Sequence, residues 1–466
     1  MNNFETIIGI EIHIELNTKT KMFSAGMNSF ESAPNTNVTP TDIAYPGTLP
    51  VVNKQAVVKA IQFAKSTGME IDKVLHFDRK NYYYPDLPKG YQITQNDRPI
   101  GKNGTIKISN KEISIERVHI EEDTAKSIHT NGKTYINYNR AGVPLIEVVT
   151  DPVINNGKEA AEYVQAIKDL AISLDISDAK MEEGSLRADI NISLRPRGQK
   201  ELGTKIEIKN LNSISNIQKS IEIEIKKQTK MLLQGEKIKM ATKRFDELSQ
   251  DTIIMRVKNG ISDYKFFPDP NIPPIYIGKE FIDSIKLNEL PWERKNRYIK
   301  SGISEENIFN LLSNIPQANY FDLINYNDKS RVSKIFFSEI VSLANSKNIN
   351  VENLGIVPRE IVKVLEKLDL GEISGKHAKI IFPLLINGNK TVEQIIEEKG
   401  MKQISDENSL NIILNSIMKT NTTFIEQNKE RPERVSKFIL GQLMKESKGQ
   451  ANPIVANKLV KKILEE

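Results

Sequence analysis

The sequence predicts an α+β chain: a mainly antiparallel sheet with flanking helices over the first 290 residues, then helices alone. Three observations carry this. Apolar and polar residues alternate at period two in 8–14, 186–192 and 205–209, the pattern of strands with one buried face. Windows of helical spacing interrupt them, as in 157–174, where Ala160, Tyr163, Val164, Ile167, Leu170, Ala171 and Leu174 line one face. Beyond Pro291 the text turns rich in Lys, Asn and Glu and keeps only helical periodicity, as in Val332, Ile335, Phe336, Ile340 and Leu343.

In the first strand, Ile8-Gly9-Ile10-Glu11-Ile12-His13-Ile14, isoleucine fills every second position, so Glu11 and His13 lie together on the other face. Asn103-Gly104, between short alternating runs, signals a hairpin turn. Val118-His119-Ile120-Glu121-Glu122-Asp123 ends a further strand in a dense acidic group. In Leu145-Ile146-Glu147-Val148-Val149 one carboxylate interrupts an apolar run. Such runs are strands buried on both faces, where a lone carboxylate is costly unless paired or metal-bound.

In 186–192 the even positions are apolar, and Arg187, Asp189 and Asn191 share the other face. Lys205-Ile206-Glu207-Ile208-Lys209 repeats the scheme. Ile217, Ile221 and Ile225 fit a helix over 214–234; Ile221, Ile223 and Ile225 also alternate, and length favours the helix. Pro268, Pro270, Pro273 and Pro274 make an extended loop. A boundary falls near 290, and Asn387-Gly388-Asn389 with Gly400 suggests another. The expected domains are 1–290, 291–395 and a small helical tail, 396–466.

Composition narrows the function classes. With 466 residues, about three domains are expected. The absence of cysteine excludes disulfides, thiolate metal sites and a thiol nucleophile. Sixty-five Lys+Arg against 60 Asp+Glu, a net +5, permits nucleic-acid binding without demanding it. The first residues lack a basic segment followed by an apolar block, and no stretch approaches the ~20 apolar residues of a membrane span. The expectation is a soluble, cytoplasmic protein without a membrane partner. G-x-x-x-x-G-K-[ST], G-x-G-x-x-G and G-x-S-x-G are all missing.

Taken alone, each polar strand face reads as the solvated side of an antiparallel sheet. Glu147 breaks that reading, because it has no polar face to belong to. If the strands share one sheet, their polar residues gather carboxylates, an imidazole and Lys/Arg. With five histidines and no thiolate, the ligands are mostly oxygen, favouring Mg²⁺ over Zn²⁺. Carboxylates holding Mg²⁺ beside Lys/Arg are the inventory of phosphoryl transfer.

Separated blocks then extend the reading: IGIEIHIEL (8–16), MFS (22–24), AYPGTLPVVN (44–53), FDRKNYYYPDLPKGYQITQ (77–95) and HIEEDTAK (119–126). NRAGVPLIEV (139–148), MEEGSLRADINIS (181–193), KNLNS (209–213), YKFFPDP (264–270) and GQLMKESKGQANP (441–453) complete them. Over essentially its whole length the chain resembles the B subunits of the bacterial Asp/Glu-tRNA(Asn/Gln) amidotransferases, the GatB family.

The resemblance implies a carbon–nitrogen ligase that uses ATP and Mg²⁺. Members of that family phosphorylate the side-chain carboxylate of Glu-tRNA(Gln) or Asp-tRNA(Asn). Ammonia from the glutaminase (GatA-type) partner then displaces the phosphate, and a small GatC-type partner assembles the complex. Carried over by motif, Glu11, His13, Glu147 and Asp189 are metal ligands. In HIEED, strict alternation selects Glu121, whereas a bulge would turn Glu122 inward; the family alignment favours Glu122.

Lys80, Tyr82 and Lys89 read either as a solvated loop or as contacts to nucleotide or the tRNA 3′ end. Arg187, Lys205 and Lys209 read as phosphate ligands, as the lining of an ammonia route, or as ion-pair partners of Glu207. The tail resembles a YqeY-like module that holds tRNA, with Lys437, Lys445 and Lys448 as contacts. Gly441 and the turn 449–453 suit close approach to phosphate.

Overall fold

The computed structural model describes residues 3–29, 32–257, 264–401, 406–428, 431–447 and 450–465. The chain divides into two compact units, Met1–Glu293 and Arg294–Glu466. The α+β expectation holds: the first unit is sheet-rich and the second is helical.

The first unit is built on a nine-stranded sheet. Its spatial order is β14 (Asp251–Val257), β13 (Ala241–Asp246), β12 (Ile206–Lys209), β11 (Leu186–Pro196), β1 (Phe4–Glu15), β10 (Pro144–Thr150), β7 (Glu112–Glu122), β6 (Gly101–Lys107) and β2 (Glu70–Ile71). All neighbours run antiparallel except β12 and β13. A three-stranded sheet, β15 (Lys265–Pro268), β4 (Asp78–Asn81) and β5 (Tyr91–Thr94), accompanies it. Two short pairs complete the strands: β3 (Val74–Leu75) with β16 (Ile275–Tyr276), and β8 (Lys126–Thr130) with β9 (Lys133–Asn137).

Alternation in β1 decides which face is core. Ile8, Ile10, Ile12 and Ile14 are fully buried. They share one core with Phe63 of α1 (Lys54–Ser66), Tyr163 and Ile167 of α2 (Gly157–Ser173), and Ile217 and Ile221 of α3 (Ile214–Leu233). Helices thus cover one face of the sheet and leave Glu11 and His13 on the other. Two of the motif blocks end in helix caps: Asn53 Oδ1 accepts from Gln55 N and Ala56 N, and Ser213 Oγ accepts from Asn216 N. Each satisfies amide groups that a helix start leaves unpaired.

Asn103-Gly104 is not the expected hairpin turn. Both residues lie within β6, where Asn103 turns left-handed at φ 58°. The physical reason is close approach: a Cβ on Gly104 would stand 2.6 Å from Met69 Cγ. Glycine at 104 therefore answers to packing against Met69 rather than to chain reversal.

On α2, burial pushes the carboxyl of Asp169 up to about 6, against the hydrogen bond donated by Gln165. The folded state therefore holds this proton more tightly than the unfolded chain, whose aspartates titrate near ~3.9. The sign follows: the stability present at low pH fades as pH rises from about 4 through about 6. Asp169→Asn is expected to match the parent at pH 4 and exceed it by about 1 kcal/mol at pH 7.5, read from urea midpoints.

The second unit holds two apolar cores. One gathers Tyr298, Phe321, Phe336, Leu365, Phe382 and Ile395, and the other Leu410, Leu414, Ile439, Leu443 and Val460. Among the described residues no helix is long and apolar enough to cross a membrane.

Candidate active site

Strand register brings the sequence-predicted residues into rows across the polar face. His13 stands opposite Arg187 on one side and Glu147 on the other, and Glu147 stands opposite His119. One step along, Glu11 faces Asp189.

The tightest group is His13, Glu121 and Glu147. His13 Nε2 lies 3.4 Å from Glu147 Oε2 and 3.5 Å from Glu121 Oε1. One donor atom from each residue falls within 4.8 Å of the others. His119 closes the group from behind, its Nε2 2.9 Å from Glu147 Oε2 and 3.7 Å from Glu121 Oε2. The Nδ1 of His119 is buried and has no hydrogen-bond partner among the described residues.

Electrostatics bind the four together. Burial works against the charged imidazole of His13, but the carboxylates of Glu147 and Glu121 outweigh it and raise its pKa. The same balance takes His119 to about 9. Burial would raise Glu147, yet the two imidazoles hold it well below the usual carboxylate range. Two carboxylates and an imidazole nitrogen at this spacing would fit a hard divalent cation, for which His13 would have to give up its proton; without one, the two imidazoliums balance the carboxylates.

Here the structure corrects the expectation for Glu122. β7 keeps strict alternation to its end, pairing Glu121 with Leu145 and Glu122 with Pro144, and the irregularity of that pairing falls at Val149/Thr150 instead. Without a bulge at 121–122, Glu122 turns away from His13, accepts a bond from Ile93 N at 3.0 Å and pairs with Lys89.

Glu11 and Asp189 form a second group. Asn191 Nδ2 donates to Glu11 Oε1 at 2.8 Å, and Lys209 Nζ sits 2.5 Å from Asp189 Oδ2 and 3.2 Å from Glu207 Oε1. Burial, then the charge of Glu147, raises the pKa of Glu11. Burial opposes the charge on Lys209, but Asp189 and Glu207 raise its pKa. Arg187 belongs to a third group, bonded to Asp123 Oδ2 at 2.7 Å. Burial and then Asp123 push the nearby Glu15 up to about 8. Lys205 is exposed just before β12.

A cleft of about 590 Å³ opens beside the first group, lined by His119, Glu121 and Glu147 and also by Lys80, Tyr264 and Phe266. Lys80 Nζ lies 4.9 Å from the centre of the Tyr264 ring, and Tyr82 packs edge-on against Tyr264 at 5.6 Å. Burial raises the pKa of the Tyr82 phenol, with Asp86 adding to the effect. Lys89 does not line this cleft; it is engaged with Glu122.

Sequence reasoning passes over His119 and Tyr264 and sets Glu121 second to Glu122. His119 and Glu121 are within its reach, because alternation in 118–122 puts both on the face of Glu147. Tyr264 becomes visible only when β15 is seen to pair with β4.

In the second unit, Lys437 and Lys445 are exposed on the helix Pro432–Glu446, with Gly441 between them in open space. Lys448 lies outside the described residues.

The family model for the GatB/GatE catalytic domain matches residues 6–283, and that for the GatB domain matches 319–464. The B subunit of the aspartyl/glutamyl-tRNA(Asn/Gln) amidotransferase of Mycoplasmopsis agalactiae is 54% identical over 100% of this chain and 99% of its own. Its counterpart from Mycoplasma mobile is equally similar, 54% over the same shares. That of Oceanobacillus iheyensis is 44% identical over 98% of each chain.

Proposed function

Because the chain belongs to the GatB family, the B subunits of aspartyl/glutamyl-tRNA(Asn/Gln) amidotransferases, we propose a two-step amidation at its polar sheet face. A side-chain carboxylate oxygen of Glu-tRNA(Gln) or Asp-tRNA(Asn) attacks the γ-phosphorus of ATP, and ADP leaves. Ammonia then adds to the acyl carbon, and phosphate leaves with the C–O bonding pair. The first step is needed because a carboxylate is a poor acyl donor.

The observation that carries this reading is the grouping of His13, Glu121 and Glu147, with both carboxylates lining a cleft that Lys80, Tyr264 and Phe266 also line. These three residues would hold Mg²⁺, which when bound offsets charge on phosphate oxygens. His119 fixes the carboxylates of Glu147 and Glu121, so they are in place before substrate arrives. Glu11 and Asp189 extend the carboxylate row, and Lys209 supplies a cation beside it. Lys80 and the rings of Tyr82 and Tyr264 suit a phosphate and the face of a base.

The ammonia comes from elsewhere in the complex. With no cysteine, this chain has no thiol nucleophile for a glutaminase. A GatA-type glutaminase and a small GatC-type assembly partner therefore complete the enzyme. The tail, 396–466, contacts tRNA phosphates through Lys437, Lys445 and Lys448, giving recognition by shape.

The test is ADP formation by the assembled complex with Mg²⁺ and labelled ATP, with no ammonia source. ADP that appears only with Glu-tRNA(Gln) or Asp-tRNA(Asn) is the expected result. ADP without tRNA would make the chain a phosphohydrolase, and no ADP under any condition would reduce it to a tRNA adaptor.

A further inference from the structure

The segment Gln450-Ala451-Asn452-Pro453 joins the two cores of the second unit in an unusual way. Its two amide side chains each donate to the carbonyl of a glycine that closes a helix of the other core. Gln450 Nε2 reaches Gly400 O at 2.7 Å, and Asn452 Nδ2 reaches Gly371 O at 3.2 Å. Gly400 caps the helix Val392–Lys399, and Gly371 follows the helix Pro358–Asp369. Both glycines are left-handed, φ 59° and 65°. The last carbonyls of a helix have no partner within it, so they are ready acceptors.

The same segment is anchored on its own side. Ala451 is fully buried with Leu410, Leu414 and Leu443. Asn452 O accepts from Ala456 N at the start of the helix Pro453–Glu465. The fit at the far end is close: a Cβ on Gly371 would stand 2.4 Å from Asn452 Nδ2. Glycine at 371 is thus required twice, by its φ and by the amide packed against it.

We propose that Gln450 and Asn452 are positioning residues that latch the tail core (410–464) onto the helical core (298–401). One hydrogen bond leaves a pivot; two bonds to the ends of two different helices fix an angle. The latch thereby sets the direction in which Lys437 and Lys445 face. Its use in catalysis rests on the reading of the tail as a tRNA contact. A tRNA held at both its acceptor end and its body gains affinity only when the two sites keep a compatible geometry.

The chain's lack of cysteine makes a two-label distance measurement direct. Lys379→Cys and Lys461→Cys, both exposed positions, would carry spin labels on the helical and tail cores of the assembled complex. One narrow distance is expected, broadened by Gln450→Ala combined with Asn452→Ser at unchanged far-UV circular dichroism. Serine is a favoured residue at a helix start and so suits the position before the helix Pro453–Glu465, but it is too short to reach Gly371. Gly371→Ala should broaden the distance by itself and add nothing to the combined variant. KM for the misacylated tRNA should rise about tenfold with kcat unchanged. An unaltered distance distribution in these variants overturns the latch. A broadened distribution with unaltered KM keeps the latch and overturns the tRNA reading of the tail.

Discussion

Glu147→Gln is expected to lower tRNA-dependent ADP formation by about 100- to 1000-fold while leaving the fold intact. Glutamine matches glutamate in shape and keeps an oxygen to accept from His119 Nε2, so packing on β10 need not change. What it removes is the negative charge, which His119 and His13 hold ionised. The charge lost is central, because Glu147 touches both histidines and shares His13 with Glu121. Glu121→Gln should fall in the same range. Glu122→Gln is the control: that carboxylate faces Lys89 and Ile93 N, so ADP formation should fall by about tenfold or less. Steady-state ADP assays on the assembled complex, backed by thermal unfolding of each variant, check all three. Full ADP formation by the Glu147 variant would remove this residue from the phosphoryl-transfer site.

The contrast between Glu121 and Glu122 also shows what could be read from the sequence. The isoleucines of β1 and the even positions of β11 announce a buried face by period alone, and both strands lie where expected. That Glu147 needs a partner follows from the cost of a lone carboxylate in an apolar run, and His13 and His119 meet that cost. Period two favours Glu121, and the family alignment draws the choice to Glu122. Where a bulge falls depends on the pairing of β7 with β10, which the sequence of β7 alone does not contain. Asn103-Gly104 misleads for a similar reason: the pair does hold a left-handed residue, Asn103, but the glycine is there for Met69, 35 residues away. Short-range chemistry is legible; contacts between distant segments are not.

Lys21→Ala is expected to lower the stability of the first unit by about 3–5 kcal/mol, the cost of orphaning a buried charge. Lys21 is fully buried, and its Nζ bonds Asp42 Oδ2 at 3.0 Å and Tyr138 O at 3.3 Å. Burial pulls its pKa below the ordinary lysine value, against the attraction of Asp42. Asp42 in turn accepts from Ser24 Oγ at 2.7 Å and Thr39 N at 2.8 Å, which ties the loop around 39–42 to the segment around Ser24. Alanine at 21 leaves that carboxylate in an apolar setting with neutral donors only. Lys21→Met combined with Asp42→Asn keeps the volume and an acceptor for Thr39 N, with the amide Nδ2 donating to Ser24 Oγ in place of the oxygen that accepted from it, while removing both charges. Its loss should stay within about 2 kcal/mol, since a buried ion pair is worth little against an apolar replacement of similar size. Urea unfolding of the two variants checks this. If the double variant is as unstable as Lys21→Ala, the cost lies in the missing ammonium contacts rather than in the stranded carboxylate of Asp42.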